Sequence, residues 1–282
     1  MSELDPRALA GGLASHEAAV VLVEGPDARS FVDGQCSQQV ADLAVGTGRP
    51  ALLLEPEGKV VALCWIAAVG EESIAVGVDA GALEATMARL RRFNFRVKCT
   101  MSVLDWSARV GWGTEPPEGE WALARSDRAG SPWWWIAGAP GSLPAASVPP
   151  PDAETIRVLR GWPRFGAEIT AGTIPASLGA ATLATTVSFT KGCYPGQELV
   201  ARLDARGAEP PFTLRLLRSA TPLSVGQALL DAAGIERGQV TSPAPCTEQG
   251  AYVALAMVHR SMEVGTVAQV ATVDAAVGSI LA

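Results

Sequence analysis

Ser188-Phe189-Thr190-Lys191-Gly192-Cys193-Tyr194-Pro195-Gly196-Gln197-Glu198 sets one cysteine between two glycines and ahead of a proline. Glycine permits backbone geometries and close approaches that a Cβ resists, and Pro195 stops a helix from running through Tyr194. Gln197 to Leu203 then reads as a short helix, with Glu198 and Arg202 at the favourable i,i+4 spacing. The stretch thus predicts a thiol on a constrained loop just before a helix N-terminus.

Working upstream, Trp133-Trp134-Trp135-Ile136 reads as a strand between Pro132 and Gly138 inside a Gly/Pro/Ala-rich region, Thr114 to Asp152. The three indoles could stack on a flat ring, but alternation between core and a covered sheet face is the simpler reading. Ala139 to Asp152 reads as a connection, and Ile156 to Arg160 resumes regular structure. Nearer the start, Val20 to Val23 predicts a strand, Gly25-Pro26-Asp27 a helix start and Phe31, Val32 and Cys36 the helix that follows. Leu52 to Leu54 and Val60 to Val69 flank Glu55-Pro56-Glu57-Gly58-Lys59 as a hairpin, and Ile74, Val76 and Val78 alternate as another strand. Asp79 is placed to cap a helix with Leu83, Met87 and Leu90 on one face. From Phe93 to Val103 strict alternation predicts a strand, with Arg96 and Lys98 on its polar face and Cys99 turned inward.

Downstream, beyond Pro210-Pro211, Phe212 to Leu217, Gln239 to Ser242, Tyr252 to Val258 and Thr266 to Val273 are short strand patterns between Gly and Pro turns, as in a small β-barrel.

The chain has 282 residues, 48% of them hydrophobic and 18% charged, enough for roughly two domains with a sizeable core. Its longest apolar run, Val60 to Val69, is about half what a membrane helix needs, so no membrane span is expected. Met1 to Arg7 carries two acids and lacks the basic start of a signal peptide, which points to the cytoplasm. Five cysteines, at 36, 64, 99, 193 and 246, contain no C-x-x-C pair and argue against both a disulfide framework and a self-contained zinc site. Cys36, Cys64 and Cys246 read as core or turn residues, and neither His16 nor His259 forms a hydrolase-like pair. The net charge of −7 disfavours direct nucleic-acid binding. Arg89, Arg91, Arg92, Arg96 and Lys98 nevertheless form a +5 strip without an acid, which leaves −12 elsewhere. That strip suits a small anionic ligand, although a solvated face is the plainer account of each arginine.

Lys191-Gly-Cys-Tyr-Pro-Gly-Gln-Glu198 resembles the signature of the YgfZ family of folate-binding proteins, relatives of the glycine-cleavage T-protein. The likeness extends to Gly25-Pro-Asp27, Arg92 to Lys98, Arg157 to Gly166, Val200-Ala-Arg202, Arg206-Gly207, Gly238 to Ser242 and Ala254 to Ala256. It implies an α+β, T-protein-like fold: two intertwined α/β subdomains around a central channel within residues 1–207, plus a C-terminal β-barrel over 208–282. It also implies a folate-binding accessory protein for iron-sulfur client enzymes, acting in cluster assembly or repair and on tRNA thio-modification through such clients. The implied cofactor is tetrahydrofolate or a folate derivative. Of the T-protein's acids, one pair falls on Ala62 and Leu63 and the carboxylate of an Arg-x-Glu element on Leu159, none of which ionises; this argues against aminomethyl transfer. A tetrahydrofolate-dependent aminomethyl or methyl transferase is the alternative, and a protein-interaction module without ligand is a third reading.

Within this resemblance, Cys193 is the expected reactive group, with Lys191 favouring its thiolate. A free thiol titrates near about 8.5, and a neighbouring cation or helix N-terminus lowers that value. Tyr194 would cover or orient the sulfur, and Gln197 and Glu198 would fix the loop; these three and Arg202 are also expected to bind the cofactor. Arg91, Arg92, Arg96 and Lys98 would attract a folate glutamate tail. The alternative for Cys193 is a small buried residue in a loop that merely shapes a turn.

Overall fold

The computed structural model describes residues 10–128, 131–205, 207, 209–244, 250–270 and 273–278. Met1 to Arg7, Arg206 and Cys246 lie outside the described residues. In chain order the elements are β1 (Gly12–His16), β2 (Ala18–Glu24), α1 (Ala28–Gln35), β3 (Gly48–Leu54), β4 (Val60–Gly70), β5 (Ser73–Asp79), α2 (Leu83–Phe93), β6 (Thr100–Leu104), β7 (Ser107–Trp112), β8 (Ala122–Arg128) and β9 (Ser131–Gly138). There follow α3 (Pro150–Leu159), α4 (Ala180–Thr186), α5 (Gln197–Ala205), β10 (Phe212–Ser219), β11 (Ala228–Leu230), β12 (Glu236–Ala244), β13 (Tyr252–His259), β14 (Val267–Val270) and β15 (Val273–Gly278).

The apolar run in β4 requires cover on both strand faces. β4 sits inside the antiparallel sheet β3-β4-β5-β2-β6. Its period of two sends Leu63, Trp65 and Ala67 to one core, while Ala62, Cys64, Ile66 and Ala68 join a second core with α1 and α2. Over the first face lies the sheet β1-β7-β9-β8, so β1 and β2, adjacent in sequence, belong to different sheets. Between the sheets four indoles run in series. Trp65 stacks on Trp162 at 4.8 Å, Trp162 meets Trp133 at 5.9 Å, and Trp133 stacks on Trp112 at 5.8 Å. Each such pair adds about 0.5–1.5 kcal/mol beyond the area it buries. Trp133, Trp134 and Trp135 are all buried, as the core reading expects. β10 to β15 close a barrel in the order β10-β13-β12-β11-β14-β15. No helix among the described residues is long and apolar enough to cross a membrane.

Three expectations need correction. The alternating stretch from Phe93 is a strand only from Thr100: Phe93 ends α2, and Arg96 adopts φ 61°, which breaks extended backbone. The Lys98 amide donates to Asp27 Oδ2 at 2.8 Å, and Cys99 is only partly buried. Asp79 precedes a short 3₁₀ turn without capping it by its side chain; its carboxylate accepts instead from His16 Nε2 at 2.9 Å and from the Phe165 amide at 2.8 Å. The long connection is shorter than it reads, because Pro150 at the helix N-terminus, where its missing N–H costs nothing, starts α3.

Candidate functional site

The cysteine loop is fastened on both flanks. On the first, Ser188 N donates to Ser37 O at 2.8 Å, and Ser37 Oγ donates to Thr186 O at 2.6 Å. Lys191 has no side-chain exposure, and its Nζ donates to Asp33 O, to Cys36 O at 3.0 Å and to Gln38 O at 3.0 Å, with Asp33 Oδ2 3.5 Å away. These carbonyls are at and just beyond the C-terminal end of α1, where a cation completes the orphaned acceptors and complements the helix dipole. An ammonium has three donors, and all three are used. Lys191 therefore spends all three donors on anchoring the loop to α1, and any effect on the Cys193 sulfur acts through its charge rather than through a hydrogen bond.

On the second flank Gly196 has φ 85°, and a Cβ there would lie 2.6 Å from Glu55 O and 3.0 Å from Gly58 Cα. Gly58, at φ 84°, in turn leaves room for Leu199, whose Cβ would be 2.7 Å from a side chain at 58. The loop and the β3-β4 hairpin tip thus meet backbone to backbone, which explains both glycines. Gln197 Oε1 accepts from the Tyr194 amide at 3.3 Å at the start of α5. Tyr194 is buried, its ring 5.5 Å from Lys191 Nζ; burial first, then the Cys36 sulfur, pushes its phenol up to about 12. It lies under the loop as a support. Gly192 and Cys193 are exposed, as are Glu198 and Arg202, which form no ion pair with each other.

The other described cysteines differ. Burial pushes the Cys36 thiol up to about 11 against the opposing Lys191 charge, and burial drives Cys64 higher still. Cys99 is raised chiefly by burial and then by Asp27. Cys193 is the exposed one among the described cysteines, as the Gly-Pro loop led us to expect. No group of three or more His, Cys, Asp or Glu side chains among the described residues is arranged to hold a metal ion.

The basic strip is divided. Arg89 is buried, donating to Leu54 O at 2.8 Å and Gln35 Oε1 at 3.0 Å, with Phe93 stacked 4.0 Å from its guanidinium. Arg92 lies 3.7 Å from Glu55, whose carbonyl faces Gly196, so this end of α2 borders the cysteine loop. Arg91, Arg96 and Lys98 are exposed.

Sequence reading missed a cavity of about 740 Å³, lined among others by His16, Asp79, Trp133, Arg157, Trp162 and Arg164. None of the eight residues expected to bind folate lines it. Beside it Arg157 donates to Glu154 Oε1 at 2.7 Å and Glu168 Oε2 at 3.3 Å, and Arg164 lies 3.3 Å from Glu154. Burial works against the charges of Asp79 and Glu154, but His16 and the Arg157/Arg164 pair respectively outweigh it and hold both carboxyls below their ordinary range. For Arg157 too, burial is outweighed, here by Glu154, Glu168 and Asp79, and its pKa is raised. The i,i+3 spacing of Glu154 and Arg157 was a usable local signal; the contact between His16 and Asp79, 63 residues apart, had none.

No family model matches the chain. An iron-sulfur cluster assembly factor IBA57 homolog, mitochondrial, from Phaeosphaeria nodorum is 28% identical over 223 residues, covering 71% of this chain and 54% of that protein, about half its length. An uncharacterized protein of Haemophilus influenzae is 26% identical over 192 residues, 67% of each chain. The glycine cleavage system aminomethyltransferase T of Bartonella henselae superposes with a TM-score of 0.74 over 98% of this chain and 87% of its own, at 19% identity. The chain thus has the T-protein fold and is similar in sequence to an iron-sulfur cluster assembly factor homolog.

Proposed function

We propose that this protein is a folate-binding accessory factor for iron-sulfur cluster assembly or repair, with Cys193 as the group that engages an iron atom, a sulfur species or a partner thiol. The observation that carries the reading is the placement of Cys193: an exposed thiol on a loop held by a buried lysine on one flank and by a glycine-to-glycine backbone contact on the other. Such a mount holds the sulfur in one place while leaving it open to a large partner. Engagement of iron requires the thiol proton to leave, and solvent is at hand to take it. The assembly-factor name of the Phaeosphaeria relative supports the client class. The reading places residues 1–207 as the folate-binding body and 208–282 as a barrel domain, in the cytoplasm.

The fold implies folate, and the large cavity fits one. Its size is within the ~300–1,000 Å³ of small-molecule sites; the partly exposed Phe165 offers a ring face, Asp79 and Glu154 offer acceptors for N–H groups, and the half-exposed Arg164 suits a carboxylate. A reduced folate bound there would supply a carrier of one-carbon units. Against turnover as a transferase, Ala62, Leu63 and Leu159 are apolar and buried, so no carboxylate stands where the T-protein resemblance requires one.

Two experiments test the reading. In cells deprived of this protein, the wild-type chain should restore iron-sulfur enzyme activity and Cys193→Ser should not; equal restoration by both would refute the role of the thiol. Tetrahydrofolate should change tryptophan fluorescence saturably, with weaker binding in Arg164→Glu. Sustained one-carbon transfer from formaldehyde-loaded tetrahydrofolate to an amine would favour the transferase instead.

A further inference from the structure

The loop between α2 and β6 presents the most exposed large apolar side chain among those described, Phe95 at 76%. Around it stand Arg91, Arg92, Arg96 and Lys98, all exposed. The Arg96 guanidinium lies 5.2 Å from the Phe95 ring centroid. Arg92 shares Glu55, but Arg91, Arg96 and Lys98 have no ion-pair partner among the described residues. The dipole at the end of α2 accounts for Arg91 and Arg92, but not for two more cations and a phenylalanine beyond the helix.

The loop is also built to hold its shape. Lys98 N donates to Asp27 Oδ2 at 2.8 Å, Asp27 N to Lys98 O at 3.4 Å, Asn94 N to Arg91 O at 3.2 Å and Asn94 Nδ2 to Cys99 O at 3.3 Å. Gly25 lets the two segments touch, since a Cβ there would be 2.4 Å from Lys98 O. At its tip Arg96 is the sole non-glycine residue with positive φ among the described residues, a conformation that L-residues rarely adopt. A fixed loop that holds an aromatic ring and arginines in water has the composition of a protein-docking hot spot.

We propose that this loop docks an acidic segment of a partner protein, carboxylates pairing with Arg91, Arg96 and Lys98 and an apolar side chain covering Phe95. Charge selects this occupant. A nucleic acid or an anionic membrane extends well beyond one loop and would meet a molecule that carries −12 outside the strip, whereas a short acidic segment needs only the local field. The end of α2, from which the loop springs, borders the cysteine motif through Arg92, Glu55 and Gly196. The proposal does not depend on folate or on the chemistry of Cys193.

The test is fluorescence anisotropy with a labelled peptide of a Leu-Phe pair flanked on each side by three glutamates. Saturable binding is expected, at least about tenfold weaker for Phe95→Ala, for Arg96→Gly, which keeps the backbone relaxed, and for Arg91→Glu/Lys98→Glu. The same peptide with glutamines should not bind. Unchanged thermal midpoints would show that these surface variants fold. The proposal is overturned by absence of saturable binding, by undiminished binding to Phe95→Ala, by tighter binding to a single-stranded oligonucleotide or phosphatidylserine vesicles, or by loop-dependent self-association.

Discussion

Lys191 shows how far one residue can act from its place in the sequence. Its partners Asp33, Cys36 and Gln38 are more than 150 positions upstream, and no spacing rule links a lysine in a glycine-rich loop to the end of a helix that distant. The exposure of Cys193 was legible, because Gly192, Pro195 and Gly196 deny it a helix or strand to be buried in; the direction of the neighbouring ammonium was not. Lys191→Met should cost on the order of 3 kcal/mol, since it leaves three carbonyls and Asp33 without their cation, and a denaturant titration would show it. The alkylation rate of Cys193 in the folded variant should change little. A selective fall in that rate with stability intact would instead give the lysine the thiolate-favouring role that the sequence suggests.

At the scale of elements, the motif loop, the β3-β4 hairpin tip and α2 form one assembly. Gly196→Ala places a Cβ 2.6 Å from Glu55 O at a backbone φ of 85°, and should destabilise by at least about 2 kcal/mol. Its effect should be seen first as faster exchange of the amides in residues 54–60. The hairpin was readable from two apolar runs around a polar turn. The strand read over Phe93 to Val103 starts only at Thr100, for two reasons: Phe93 continues the apolar face that Leu83, Met87 and Leu90 begin, and the chain turns at Arg96 to give Lys98 to Asp27. Alternation reports which residues could share a face, but the backbone was already committed to α2 and to Asp27.

Across the whole molecule, Glu168 is the joint. It is buried and accepts from Arg157 at 3.3 Å, from the Arg164 amide at 2.9 Å and, from β12 of the barrel, Thr241 Oγ1 at 2.7 Å and Ser242 Oγ at 2.5 Å. Glu168→Leu removes the acceptor of the Ser242 hydroxyl and the Arg164 amide, while Arg157 keeps Glu154 and Thr241 keeps Leu255 O, and should cost about 1–3 kcal/mol, loosening the barrel to limited proteolysis. The linked carboxylates also set the acid limit. Asp79 and Glu154 have folded-state pKa values below their ordinary ones, so their contribution is fully present above roughly pH 5 and is lost as pH falls below about 4. Glu154→Gln should flatten that acid limb in thermal melts. The barrel was legible from its strand spacing. The division of β1 and β2 between two sheets was not, because a period of two specifies faces and says nothing about partners. The central claim, that the fold exists to hold one open thiol, is tested most directly by the alkylation rate of each cysteine against pH in the native protein. Cys193 should react at least about tenfold faster than Cys36, Cys64 or Cys99 at neutral pH, because it alone of these four is exposed and burial holds the other three thiols protonated. A Cys193 that reacts no faster than Cys99 would contradict it.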